Sequence, residues 1–296
     1  MKKLLCSIAG LSFALAGSLV ARAQTPAAPP PNILYIETDN IKAYESEPYD
    51  KVAAEYPPVS RQVKAATHYL AMEAVTGSPR AIYLFDYDSY EAWQKDTESL
   101  LGNATVHEKF AALDKLESQY VSEVHNTIWH YRPDLSENVA GADLPHSHYW
   151  EVVIFHMRPG HDAQFDELTK LYKDANVKIG QQNIPWATYE GMNGATDSYP
   201  ILIPMTSLKD EDTGLAHEKD FGAALGEEGA RRMDKLSEEG VTSVEDNLYM
   251  VNPAASYINP DWVKADPGYW APKPTVKPAP KPAAGAPPAP KPAPAQ

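Results

Sequence analysis

The feature that most constrains this chain is a pattern that occurs twice. The segment VSEVHNTIWHYRPDLS at residues 121–136 is matched by VTSVEDNLYMVNPAAS at residues 241–256, an offset of 120 positions. The same offset places the Asp-Lys-Leu that begins at Asp114 on the one that begins at Asp234. Two copies of about 110 residues are too few and too long for a solenoid. The sequence therefore predicts two homologous domains, residues 30–136 and residues 148–257, joined by a linker at residues 137–147.

Each copy shows the same order of predicted elements. In the second copy, YWEVVIFHM is rich in β-branched and aromatic residues and predicts a strand, and Arg158-Pro159-Gly160 predicts the turn after it. A helical stretch, two strands, a second helical stretch ending at Gly240 and a last strand follow. The order β-α-β-β-α-β is the ferredoxin-like unit, whose sheet carries helices on one face. The predicted fold class is therefore α+β, with two ferredoxin-like repeats that close into one α/β barrel within the chain.

The segment YLFDYDSYEAWQ follows the third predicted strand and starts a helix near Ser89. In this segment and in the order and length of its elements, the chain resembles the dimeric α/β-barrel superfamily, which includes antibiotic-biosynthesis monooxygenases and NIPSNAP-like proteins. The resemblance covers both repeats, as a tandem duplication. It implies a small-molecule pocket that needs no cofactor for oxidation or isomerisation. Chlorite-dismutase-like tandem members imply haem, held by a histidine, as an alternative.

The two ends of the chain differ from its body. Residues 1–23 combine Lys2 and Lys3 with an apolar stretch and Ala21-Arg22-Ala23, which predicts a cleaved bacterial signal peptide and a periplasmic or secreted protein. Its removal takes away the sole cysteine, Cys6, so the core must hold without a disulfide. Residues 258–270 form an extension. Residues 271–296 are mostly Pro, Ala and Lys, which predicts a disordered tail that either contacts the cell envelope or is only solvated. The net charge of −14 argues against nucleic acid as a partner.

Strand residues alternate between the two faces of a sheet, and the two predicted faces differ in character. The aliphatic face, expected to pack under the helices, includes Leu34, Ile36, Leu70, Met72, Ile82 and Leu84. The aromatic and polar face is expected to line the barrel interior. A ligand pocket and a core filled by aromatic side chains both fit such an interior. In the pocket interpretation the ligand-binding residues are Tyr35, Tyr69, Tyr83, Trp129, Tyr131, Phe155, Tyr189, Asn193, Asn247 and Tyr249.

His125 is the candidate base on this aromatic face, because histidine titrates near neutrality. Glu73 and Glu245 are the further catalytic candidates, and Glu37 and Glu151 become bases if burial raises their pKa values. His125 aligns with Glu245 at the 120-residue offset. That difference fits one active and one degenerate half, and it equally fits drift between two structural halves.

No metal site is predicted, because the His146-Ser147-His148 pattern beside Asp143 is common in solvated loops. The main functional interpretation is a pocket for an aromatic or lipophilic compound, with monooxygenase-like oxidation if the chain is an enzyme, and with no cofactor. One alternative is a non-catalytic envelope protein with structural or interaction roles. The other is a haem protein with His125 or His156 as the ligand. The sequence does not indicate the oligomeric state.

Overall fold

The computed structural model describes residues 29–271, so the predictions for residues 1–23 and for nearly all of the tail lie outside the described residues. The described chain is an α+β fold built on a closed eight-stranded antiparallel barrel, with strand order β1-β3-β2-β8-β5-β7-β6-β4. This confirms the predicted α+β class and barrel closure. Within residues 29–271 no helix is both long and apolar enough to cross a membrane.

Both halves of the chain run strand, helix, strand, strand, helix, strand. The first half comprises β1 (Ile33–Ile41), α1 (Ser46–Ala53), α2 (Tyr56–Val63), β2 (Tyr69–Ala74), β3 (Arg80–Tyr87), α3 (Tyr90–Leu101), α4 (Ala104–Glu117) and β4 (Val121–Tyr131). The second comprises β5 (Tyr149–Met157), α5 (Asp162–Lys178), β6 (Ala187–Asn193), β7 (Ser198–Met205), α6 (Lys209–Gly240) and β8 (Val241–Val251). Short helices α7 (Pro260–Ala265) and α8 (Pro267–Trp270) follow.

Local sequence explains where the first-half helices begin. Pro57 and Pro58 occupy the first turn of α2, where a missing N–H costs nothing. The Ser89 hydroxyl accepts from the Ala92 amide at 3.1 Å and caps α3 at the predicted helix start.

Two seams join the halves into the barrel. Met72 of β2 pairs with Val251 of β8, and Tyr131 of β4 pairs with Tyr189 of β6. Neighbouring strands of the barrel are antiparallel, and four such pairings separate β1 from β5. These two strands therefore run in the same direction along the barrel. Each half therefore presents its helices outward and its other sheet face to the barrel axis.

The barrel interior is aliphatic and filled, which corrects the predicted assignment of faces. One buried cluster takes side chains from all eight strands, and it includes Leu34, Ile36, Leu70, Met72, Ile82, Leu84, Trp129, Trp150, Val152, Tyr189, Leu202, Tyr249 and Val251. Three of the predicted ligand-binding residues, Trp129, Tyr189 and Tyr249, lie in this cluster, and Tyr131 packs beside them. Tyr69, Tyr83 and Phe155 pack instead with helical residues on the outer face, and Tyr35 lies there too.

The physical reason for this correction is that strand alternation defines two faces without saying which one meets the helices. Aliphatic side chains pack well where two sheets meet with no polar partner between them. A buried tyrosine needs a hydrogen-bond partner, and the helix side supplies one to Tyr83, whose hydroxyl lies 2.7 Å from that of Tyr49 on α1. The barrel axis is therefore packed mostly by aliphatic side chains, in place of the aromatic ones that the filled-core interpretation predicted.

The C-terminal extension closes the end of the barrel at which β1 and β5 begin. Trp270 is buried in the interior cluster, and its indole Nε1 donates to the Pro145 carbonyl at 2.7 Å. Tyr269 stacks on His148 with ring centroids 3.6 Å apart. This contact ties the extension to the segment that links the two halves.

The two helix layers differ in how tightly they cover their sheets. In the second half α5 and α6 bury six and seven residues, and their side chains form a single large core with Val153, Phe155 and Met157. In the first half α3 buries none of its residues and α4 buries Val106 alone. The first-half core is split into two smaller clusters, with Phe85 packed against both. The first-half helices therefore cover their sheet less completely, and we call the region between them the first-half crevice.

Candidate functional site

The candidate site is this first-half crevice, which we define by Tyr35, Glu37, Tyr56, Tyr69, Tyr83, Phe85, Trp93 and Glu117. It opens over β4, where Val124 and Asn126 are exposed because α4 does not cover them. These two residues are the cross-strand partners of Asp39 and Glu37. The carboxyl groups on β1 therefore lie one strand inside the opening.

Aromatic rings form the walls of the crevice. Tyr35 stacks on Trp93 with centroids 5.5 Å apart and meets Phe85 at 5.7 Å. Tyr69 meets Phe85 at 4.8 Å and Tyr83 at 6.1 Å. Tyr35, Phe85 and Trp93 remain partly exposed. The rings therefore form a continuous surface that a planar ligand can reach from solvent.

Carboxyl groups lie along the same crevice. Burial, reinforced by the charges of Asp39 and Asp114, raises the pKa of Glu37 to about 7. Burial, followed by the charge of Asp39, raises the pKa of Glu117 to about 8. Burial also raises the pKa of Asp39. In residues 29–271 neither these three carboxyl groups nor Asp114 makes an ion pair. A group that titrates near neutrality is well matched to proton transfer at physiological pH.

Tyrosine hydroxyls connect the carboxyl groups. The Tyr49 hydroxyl donates to Asp39 Oδ2 at 2.6 Å and lies 2.7 Å from the Tyr83 hydroxyl. The Tyr56 hydroxyl lies 2.9 Å from Asp114 Oδ1 and 2.9 Å from Glu117 Oε2. A hydroxyl has one proton, so both contacts are hydrogen bonds when one carboxyl group is protonated. The raised pKa of Glu117 identifies it as the proton carrier.

Two buried polar atoms of the cluster are unsatisfied. The Asp39 side chain is 1% exposed, and its Oδ1 has no hydrogen-bond partner. The Tyr69 hydroxyl, on a side chain 8% exposed, also has none that meets hydrogen-bond geometry, and the Ser60 hydroxyl beside it donates to the Tyr56 carbonyl at 3.2 Å. An unsatisfied buried polar atom costs about 1–3 kcal/mol. A bound ligand that supplies donors would remove this cost.

The equivalent place in the second half is closed. Glu37 pairs with Tyr83 across the strands, and the residue in its position on β5, Val153, pairs with Ile201. Asp39 corresponds in the same way to Phe155, whose ring meets Phe165 of α5 at 5.4 Å. Apolar side chains therefore fill the position where the first half holds carboxyl groups. Phe155 belongs to a packed core, which corrects its prediction as a ligand contact.

The predicted catalytic residues do not come together. His125 lies at the barrel rim with its side chain 52% exposed and its Nε2 3.3 Å from Glu123. Glu245 lies 3.2 Å from both His156 and Arg80, and their hydrogen bonds hold its pKa down to about 2. A carboxylate with so low a pKa is a poor proton acceptor. Glu245 therefore belongs to an ion-paired network that links β3 to β8.

Other predicted residues have local roles. Glu73 faces outward, accepts from the Asn252 amide, and has a pKa raised by burial. Asn193 accepts from the Tyr90 hydroxyl at 3.0 Å on the outer surface, because a bulge in the β4–β6 pairing turns it from the barrel axis. The Asn247 side chain lies against the Gly77 turn. Of the predicted site, Tyr35, Tyr69 and Tyr83 line the crevice.

Sequence reasoning missed most of the polar groups of the crevice. Asp114 and Glu117 are three residues apart near the end of α4, a spacing that places them on one helix face. Asp39 shares strand parity with Glu37, which was among the candidate bases. These signals were present, but the helix that carries Tyr56 could not be placed opposite α4 from the sequence.

A separate surface pocket of about 360 Å³ lies where β3 meets α3. Its lining includes His68, Asp86, Tyr87, Lys95 and Asp96. The Tyr87 hydroxyl donates to Asp96 at 2.9 Å, so part of its polar lining is already paired. Residues 29–271 contain no group of three His, Cys, Asp or Glu side chains arranged to hold a metal ion. The two histidines of the His-x-His pattern diverge, since His146 bonds Asp143 and His148 bonds Asp266.

The histidines considered as haem ligands do not fit that role. His125 and His156 are 52% and 36% exposed in their side chains, and each faces a carboxylate across a short contact. Within residues 29–271 the interior beside them is packed with apolar side chains, which does not favour haem there. Haem therefore has no part in the reaction proposed below.

Comparisons with known proteins find similarity in solved structures. No family model matches the chain, and no curated protein matches it. A presumed monooxygenase from Fusobacterium nucleatum is 12% identical, with a TM-score of 0.47, covering 75% of this chain and 93% of that one. An anthrone oxidase-like protein is 12% identical, with a TM-score of 0.49, covering 74% and 91%. A chlorite dismutase from Candidatus Nitrospira defluvii is 10% identical, with a TM-score of 0.41, covering 79% and 95%. No residue role is transferred from these neighbours.

Proposed function

We propose that the first-half crevice binds an aromatic small molecule and that Glu37 accepts a proton from it. The observation that carries this proposal is the position of Glu37. It is a carboxyl group with a pKa of about 7, set between aromatic rings at an open crevice, where the other half has Val153 in a closed core. A pocket that combines apolar walls with one titratable group is typical of a small-molecule site.

The reaction class that suits this site is monooxygenase-like oxidation without a cofactor. Glu37 removes a proton from an activated CH₂ group of the aromatic compound, and the resulting anion reduces O₂. Two C–H bonds break and one C=O bond forms, while the second oxygen atom leaves as water with the two hydrogens. Protonated Glu117 is placed to return a proton to the departing oxygen. His125 has no role in this proposed reaction.

The finer predictions about the whole chain belong to the same proposal. They are the origin of the halves by tandem duplication of a ferredoxin-like unit, kinship with NIPSNAP-like proteins, and export to the periplasm. The shared element order and strand register of the halves support the first. The charge and cleavage pattern of residues 1–23 supports export. Contact of residues 271–296 with the envelope is the proposed role of the tail.

The test is native mass spectrometry of the mature protein, purified gently from its own host, followed by oxygen-uptake assays with the compound found. We expect a reproducible added mass for the wild-type protein and for Glu108→Gln, which changes an exposed carboxyl on the outer side of α4. Glu37→Gln should keep the added mass and lose at least 90% of oxygen uptake. Full activity in Glu37→Gln would contradict the role of Glu37.

A second candidate function is a non-catalytic envelope protein, which the filled and capped barrel favours. In that case the purified protein carries no added mass, and the function is lost when residues 271–296 are deleted and unaffected by Glu37→Gln. The same set of variants therefore separates the two functions.

A further inference from the structure

We propose that the first-half crevice selects an aromatic ligand that carries a positively charged amine. This inference rests on the proposed function and names the substrate class of that site. It depends on three observations, which concern the charge of the crevice, its unsatisfied acceptors and its aromatic surface.

The crevice brings four carboxyl groups together, and burial raises the pKa of Glu37, Asp39 and Glu117. Some carboxylates elsewhere pair with arginine, such as Glu167 with Arg232 at 2.5 Å and Glu190 with Arg132 at 3.1 Å. Glu37, Asp39, Asp114 and Glu117 have no such partner within residues 29–271. Arg61 is exposed on α2, and its positive charge opposes the rise in the pKa of the Tyr69 hydroxyl. It forms an ion pair with none of the four carboxyl groups. A bound cation would lower the electrostatic cost of ionising these groups together.

The unsatisfied atoms are acceptors. Asp39 Oδ1 can only accept a hydrogen bond when the carboxyl group is ionised, and the Tyr69 oxygen has free lone pairs. An ammonium group has three donors and no acceptor, so it can satisfy acceptors of this kind once a side-chain movement opens them to the ligand. An anionic ligand would add a like charge, and a neutral ligand would satisfy fewer acceptors and leave the charge unbalanced.

The aromatic surface suits the rest of the ligand. The partly exposed pair Tyr35 and Trp93 offers a ring face at the opening. Tyr69, Tyr83 and Phe85 line the deeper part, beside the carboxyl groups. Cations are also attracted to the faces of aromatic rings within about 6 Å. An aromatic ring at the opening with its amine directed inward would use both parts of the surface.

The experiment compares three probes that share a phenol ring and a two-carbon chain. Tyramine ends in an amine that is charged at pH 7.5, tyrosol ends in a hydroxyl, and 3-(4-hydroxyphenyl)propionate ends in a carboxylate. Isothermal titration calorimetry of the full mature protein measures the Kd of each. We expect tyramine to bind at least ten-fold more tightly than tyrosol, and the propionate to bind most weakly. Raising the salt from 50 to 300 mM should weaken tyramine binding and leave tyrosol binding unchanged.

Variants then assign the preference to the crevice. Glu117→Gln and Asp114→Asn should each weaken tyramine binding about five-fold or more without changing the Kd of tyrosol, and Glu108→Gln should change neither. Circular dichroism melting of each variant verifies folding, and Asp114→Asn serves if Glu117→Gln does not fold. Equal Kd values for tyramine and tyrosol, or a preference retained in both folded variants, would overturn the charge selection and leave the aromatic site standing. Binding of none of the three probes would overturn the aromatic site as well.

Discussion

The Tyr56 hydroxyl lies 2.9 Å from a carboxyl oxygen of Glu117, and this contact joins α2 to the end of α4. A second contact from the same hydroxyl reaches Asp114, also at 2.9 Å. Because α4 buries Val106 alone, these polar contacts are a large part of what positions it above the sheet. The width of the crevice therefore depends on these hydrogen bonds together with the stacking of Tyr56 on Phe110 of α4, whose ring centroids are 6.0 Å apart.

Removing that hydroxyl should loosen the helix layer. We expect Tyr56→Phe to lower the free energy of unfolding by about 1–3 kcal/mol, because two polar groups lose a shared partner. Urea denaturation measures the change. Tyr44→Phe is the matched control, since Tyr44 is 100% exposed, and it should shift the unfolding free energy by less than about 0.5 kcal/mol. A Tyr56→Phe protein as stable as the wild type would show that the contact is dispensable.

Exchanging the equivalent residues of the two halves should have opposite effects. Glu37→Val removes a carboxyl group with a raised pKa and should increase the unfolding free energy at pH 8 by roughly 2–3 kcal/mol, since each pKa unit is worth about 1.4 kcal/mol. Val153→Glu places a carboxyl group in a packed core and should lower it by roughly 3–5 kcal/mol. Chemical denaturation at pH 8 measures both changes in the unfolding free energy. Loss of stability in Glu37→Val would mean that Glu37 is a structural residue.

Stability should fall as the pH rises through the neutral range. The pKa values of Glu37 and Glu117 are about 7 and about 8 in the folded chain and near 4.5 when unfolded. The folded state therefore holds protons that the unfolded state has released, and stability declines from about pH 4.5 to about pH 8. We expect a decline of a few kcal/mol, measured by urea denaturation at pH 5, 6, 7 and 8. The double variant Glu37→Gln, Glu117→Gln should flatten most of this slope, whereas Glu108→Gln should leave it unchanged.

The C-terminal cap should be part of the core. Trp270 is 4% exposed and donates to Pro145, so Trp270→Ala should cost about 3–5 kcal/mol in unfolding free energy. Lys264→Ala, on the exposed side of α7, is the control and should be close to neutral. Thermal unfolding followed by far-UV circular dichroism measures both. A loss below about 1 kcal/mol for Trp270→Ala would show that the barrel is stable without its cap.

The sequence predicted the helices and strands well, but it predicted poorly which sheet face the helices cover and which residues meet at the candidate site. The β-branched and aromatic residues of YWEVVIFHM identified β5, which is Tyr149–Met157 in the structure, and the predicted helix end at Gly240 is the end of α6. The face that meets the helices could not be predicted, because a period of two is symmetric with respect to the sheet. The crevice combines β1 with α2 and α4, so its residues come from segments that only tertiary packing brings together. Catalysis was assigned to His125 from its chemistry alone, and burial singled out Glu37 instead.

The seam between Met72 and Val251 joins residues that are 179 positions apart. Until β8 has been synthesised, the aliphatic face of the first sheet has no partner to cover it. Contacts so distant in sequence are slow to form, and an uncovered apolar sheet is prone to aggregate in the meantime. The chain should therefore be most vulnerable during its biogenesis, and truncation before β8 should yield insoluble protein even though the first half is complete.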